Sequence, residues 1–155
     1  MRAVILQART TTQAKKDSMT KLLVDTGPLV AYCNRRDAHH SWARNIAQHL
    51  LPPLYTCEPC LTEVFWRIQR HGGKVNLLWD WIRERVLVVD FAASRQWPDL
   101  ERLMTRYADQ KMDFADAWLV RMSELMRDCQ VWTADHDFKV YRRNERLQIP
   151  FIFPD

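Results

Sequence analysis

Short apolar runs that alternate with longer amphipathic segments constrain this chain more than any other feature. Lys21–Asp25, Leu54–Cys57, Val86–Val89 and Gln130–Thr133 read as buried strands. A weaker fifth lies at Phe151–Phe153. Between them, Thr26–Tyr32 suits a short helix, and Asp37 suits the N-cap of a helix running through Leu51. Trp42, Ile46, Ala47 and Leu50 would share one face of that helix before Pro52-Pro53 ends it. Pro59 fits the first turn of the next helix, which should stop at Gly72-Gly73. Further helices are predicted from about Lys74 to Arg83, from Pro98 to Tyr107, and from Asp113 to about Arg127. Strands separated by helices predict an α/β domain around a mainly parallel sheet of four to five strands.

Composition is consistent with that reading. A length of 155 residues is enough for one hydrophobic core, and 47% apolar with 27% charged residues is globular rather than disordered. No apolar run reaches the roughly 18 residues of a membrane span. Ala3–Leu6 falls short of a secretory apolar region of about 7–15 residues, so a cytoplasmic protein is expected. Residues 1–18 read as a polar leader or upstream start, with the domain occupying 19–155. Arg2, Arg9, Lys15 and Lys16 against Asp17 give that leader +3 of the net +4, leaving the domain near +1. Attraction to phosphate would therefore rest on local clusters such as Arg67/Arg70 or Arg142-Arg143.

Four acidic motifs fall where elements hand over to loops or where helices begin. They are Val24-Asp25-Thr26-Gly27, Leu61-Thr62-Glu63, Asp113-Phe114-Ala115-Asp116-Ala117 and Thr133-Ala134-Asp135-His136-Asp137-Phe138. In open parallel sheets, ligands sit beyond the carboxyl ends of strands. Asp25 ends the first strand and Asp135 follows the fourth, so both should emerge at that edge. Leu61, Val64, Phe65 and Ile68 form a core stripe that leaves Glu63 facing a cleft or water. Asp113 and Asp116 are neighbours off the stripe Ala115, Trp118, Leu119, Met122 and Met126. The helix dipole is a competing explanation for Asp113, and a weaker one for Asp116, which borders the buried side and would be costly there without a partner or metal. Such a set suits a hard divalent cation, and with it metal-dependent cleavage of phosphodiesters. That chemistry needs no histidine, so His39, His40 and His136 read as structural or incidental; Thr26 and Thr133 could orient a water or a carboxylate, or equally serve as caps.

At these residues the sequence resembles the PIN-domain ribonucleases, especially the VapC-like toxins of toxin–antitoxin pairs. Leu23-Val-Asp-Thr-Gly-Pro-Leu29, Cys57–Glu63, Tyr107–Ala117 and Thr133–Arg142 resemble the four family motifs in order. The resemblance implies a three-layer α/β/α sandwich. It implies an acidic site of Asp25, Glu63, Asp116 and Asp135 binding Mg²⁺ or Mn²⁺, with Asp113 and Asp137 nearby. It also implies an RNA substrate cut to a 5′-phosphate and a 3′-hydroxyl, a homodimer, and a cognate antitoxin.

Three other readings compete. An aspartyl phosphatase also begins with an Asp at a strand end, but it needs a second acid two residues later, where this chain has Gly27. A non-catalytic domain that binds RNA or a protein would be expected to lack one of the acids, and none is lost. Cys57-Glu58-Pro59-Cys60 has the form of a redox or zinc motif. No second such motif exists, only His39 and His40 could complete a zinc site, and buried thiols are the simpler explanation.

Overall fold

The strands of the main sheet form from short apolar runs whose successive side chains point to opposite faces. The computed structural model describes residues 20–154; the expected leader, 1–18, lies outside the described residues. The strands are β1 (Lys21–Val24), β2 (Leu54–Thr56), β3 (Leu87–Val89), β4 (Cys129–Trp132), a small antiparallel pair β5 (Arg142–Arg143) and β6 (Leu147–Gln148), and β7 (Phe151–Ile152). The main sheet has the order β3-β2-β1-β4-β7, with every neighbouring pair parallel. The order reverses between β1 and β4, which makes that edge the switch point where a crevice opens.

The helices are α1 (Thr26–Cys33), α2 (His40–His49), α3 (Glu58–His71), α4 (Val75–Arg83), α5 (Trp97–Arg106) and α6 (Phe114–Leu125). They cover both faces of the sheet. Leu22 and Val24 join a core with Leu29, Ile68, Leu78 and Trp132, while Leu23 joins a second core with Leu100, Leu103, Trp118 and Val131. This is the predicted three-layer α/β/α sandwich. The first turn of α3 belongs to the second core through Cys57 and Cys60, and its later turns belong to the first through Val64 and Ile68. Like α1, which is buried at nearly every position, α6 is buried around most of its circumference: Ala115 and the run from Ala117 to Val120 are buried together with Met122. It therefore carries Asp116, the acid of its first turn, into the interior, while its second acid, Glu124, pairs with Arg102 and Arg121.

Three local expectations are corrected. Asp37 does not cap α2, which begins at His40 behind His39 with no side-chain cap. The Asp37 carboxylate instead accepts the His39 N–H at 2.9 Å, a turn of its own that competes with the cap. Helices α2 and α6 end earlier than predicted, at His49 and Leu125, because Leu50 is extended before the two prolines and Met126 closes the last turn. The β5–β6 pair was not legible, since neither two-residue strand carries apolar alternation.

Candidate active site

The crevice at the β1/β4 edge collects carboxylates from four separate segments. Asp25 leaves the end of β1 as the N-cap of α1, with its Oδ1 accepting the Thr26 N–H at 2.6 Å. Its Oδ2 accepts the Thr133 hydroxyl at 2.7 Å, a bond between residues 108 apart. Thr133 Oγ1 in turn accepts the Asp135 N–H at 2.9 Å, so one buried hydroxyl ties Asp25 to the segment that carries Asp135. Asp135 then caps the short turn His136–Lys139 by accepting the Asp137 N–H at 2.8 Å. From the third segment, Asp113 caps α6 through the Asp116 N–H at 2.8 Å. Asp116, one turn in, accepts the Tyr141 hydroxyl at 2.9 Å. The fourth segment, α3, contributes Glu63, which faces Arg67 at 3.6 Å.

Together these surround a cleft of about 380 Å³ whose walls include Asp25, Glu63, Asp113, Asp116 and Asp135. Beside it lies a second groove of about 770 Å³ lined by Trp66, Phe91, Phe114 and Trp118, and Glu63 stands on the ridge between the two.

A family model described as the PIN domain matches residues 22–144. The chain belongs to the PIN domain family. Among solved structures, VapC20 of Mycobacterium tuberculosis, described as a Sarcin-Ricin loop cleaving toxin, is similar in fold with a TM-score of 0.68. The likeness extends over 77% of this chain and 94% of VapC20 at 21% identity. No curated protein sequence matches this chain.

The electrostatics of this PIN domain follow from burial. Burial raises the Asp25 carboxyl to about 6, with Asp135 and Glu63 adding repulsion and the Thr133 and Thr26 hydrogen bonds opposing it. Asp116 is pushed up to about 8, first by burial and then by the charges of Asp113, Asp25 and Asp135, against the Tyr141 hydrogen bond. Tyr141 is raised as well, by its own burial and by Asp116. Among the described residues, Glu63 is the only member of the five with an ion-pair partner. The cleft thus holds more negative charge than its own cations balance. Among the described residues no trio of His, Cys, Asp or Glu is drawn together tightly enough to hold an ion as it stands. The donor set is nonetheless all carboxylate oxygen, which suits a hard divalent cation.

Of the residues expected from sequence, Asp25, Glu63, Asp113, Asp116, Asp135 and Thr26 reach the cleft wall of the PIN domain. Thr133 lies beneath it as the bridge between two acids. Asp137 does not line it, and acts on Asp135 through its backbone N–H. His40 is structural as expected, with Nδ1 2.7 Å from the Ala31 carbonyl. His39 and His136, read as structural, stand on the cleft wall with Asp37 and Arg67. Tyr141 was missed altogether. Its one signal in the sequence is the spacing of two aromatics, Phe138 at the end of the fourth acidic motif and Tyr141 three residues on, and both prove fully buried.

Proposed function

We propose that the cleft hydrolyses RNA phosphodiester bonds with a divalent cation, Mg²⁺ or Mn²⁺, held by Asp25, Glu63, Asp116 and Asp135. One observation carries this reading: acids from four separated segments meet at the switch point of a PIN domain, two of them buried and held above the usual carboxylate range. When bound, such a cation supplies a water of lowered pKa and neutralises charge on the leaving oxygen. The protein's part is positioning. Thr133 fixes the rotamer of Asp25 and holds the Asp135 segment against it. Tyr141 directs Asp116 towards the cleft, and Arg67 offers Glu63 a partner at its rim. Arg67, His39 and His136 are the basic groups on the wall able to meet substrate phosphates.

We further propose that the protein is the toxin of a toxin–antitoxin pair, by analogy with VapC20, and acts in the cytoplasm. No helix among the described residues is long and apolar enough to cross a membrane. A cognate antitoxin and a second copy of the chain are the proposed partners. The exposure of Trp66 (55%) and Phe114 (38%) along the neighbouring groove favours a protein partner there, since contiguous apolar surface marks contact sites.

The test is cleavage of total RNA and of ribosomal hairpin loops by the purified protein with Mg²⁺ or Mn²⁺, with chelator, and with Asp116→Asn. Cleavage that needs the metal and vanishes in the variant supports the reading. Equal cleavage by the variant overturns the assignment of Asp116, and failure of the parent protein to bind metal overturns the metal site.

A further inference from the structure

The proposed chemistry leaves unused the only paired thiols of the described chain. Cys57 is the N-cap of α3 and Cys60 lies in its first turn. Their sulfurs are 3.4 Å apart and both side chains are fully buried, while Cys33 and Cys129 stand apart as single buried thiols. A C-x-x-C pair at the start of a helix is the arrangement used by dithiol oxidoreductases, because the helix start holds the two sulfurs within bonding reach.

We propose that Cys57 and Cys60 form a reversible disulfide, a modification site whose oxidant is a small peroxide. A disulfide S–S bond is about 2.0 Å long, so from the 3.4 Å contact the sulfurs need to close by only roughly 1.4 Å. Glu58 and Pro59, the two residues between the cysteines, line the groove beside the cleft, so an oxidant would reach the buried sulfurs through an opening of that wall. With hydrogen peroxide, one sulfur attacks a peroxide oxygen and the O–O bond breaks, giving a sulfenic acid and one water. The second sulfur attacks the sulfenic sulfur, the S–O bond breaks, and the departing hydroxyl takes the remaining thiol proton as a second water. Two electrons pass from the thiols to the peroxide.

The bond would form next to the acidic cleft. The Cys60 carbonyl faces the Thr26 hydroxyl at 3.5 Å, Thr26 donates its N–H to Asp25, and Glu63 follows Cys60 by three residues on α3. Oxidation tightens the first turn of α3, three residues before Glu63 on the cleft wall, and is expected to weaken divalent-cation binding there.

The experiment treats the folded full-length protein with hydrogen peroxide, counts thiols after denaturation, and maps disulfides by peptide mass. The expected result is loss of two of the four thiols, a Cys57–Cys60 link, full recovery with dithiothreitol, and no such loss in Cys57→Ser or Cys60→Ser. Calorimetry with Mn²⁺ alone should give weaker binding for the oxidised than for the reduced protein. A link involving Cys33 or Cys129, no link at all, or a link that forms only when circular dichroism shows the protein unfolded would overturn the assignment. Unchanged Mn²⁺ binding in the linked protein would overturn its coupling to the cleft. None of these readouts depends on RNA cleavage.

Discussion

The hydroxyl of Tyr141 donates to Oδ2 of Asp116 across 25 residues of sequence, and both groups are buried. The bond favours the ionised carboxylate in a place where burial and three neighbouring acids oppose it. Tyr141→Phe should therefore raise the Asp116 pKa further. Mn²⁺ binding, followed by calorimetry across pH, should weaken by roughly tenfold near neutrality and recover only at higher pH than in the parent. A binding curve superimposable on the parent's would show that the hydroxyl serves packing alone.

Thr133 should be intolerant of the loss of its oxygen and tolerant of the loss of its methyl. Thr133→Val leaves Oδ2 of Asp25 without its donor and the Asp135 N–H without an acceptor, and should cost about 1–3 kcal/mol of stability together with most of the activity. Thr133→Ser keeps both bonds and should retain activity. Chemical denaturation and a cleavage assay on the two variants check this, and equal behaviour of the two would contradict it.

The metal-free protein should lose stability as pH rises through the neutral range. Asp25 and Asp116 sit at about 6 and about 8 in the folded protein, against an ordinary value of 3.8. The folded state thus holds protons that the unfolded state has released. This contribution is fully present below about pH 4 and is lost as pH rises through 6 and then 8. In chelator, the melting temperature should fall by on the order of several degrees between pH 5 and pH 9. Asp116→Asn should flatten the upper part of that fall, and Mn²⁺ should reverse it, because a bound cation stabilises the ionised carboxylates.

Asp113 separates capping from charge. Its carboxylate caps α6, and asparagine caps equally well. Asp113→Asn should keep the parent stability and relieve repulsion on Asp116, whereas Asp113→Ala should cost about 1 kcal/mol. Urea denaturation of the pair decides between them. A large loss of RNA cleavage in Asp113→Asn, with stability unchanged, would instead make Asp113 a member of the metal site.

Much of this molecule was legible in one dimension because its signals are local. Strand runs such as Leu22–Val24 and the stripe of Val64 and Ile68 declare their own elements, and helix starts at Pro59 and Asp113 follow from capping chemistry. Acids at strand ends and in first turns could likewise be picked out by position, since a parallel sheet presents its strand ends at one edge. The registers of β1 against β4, and the reversal of strand order between them, depend on long-range pairing and were decided only by the tertiary structure. That pairing brings Thr133 onto Asp25 and Tyr141 onto Asp116, and no local pattern marks either contact. The same holds for charge. Aspartate is written in the sequence at 25 and 116, but its protonation depends on how much water and how many other acids surround it, which packing alone determines.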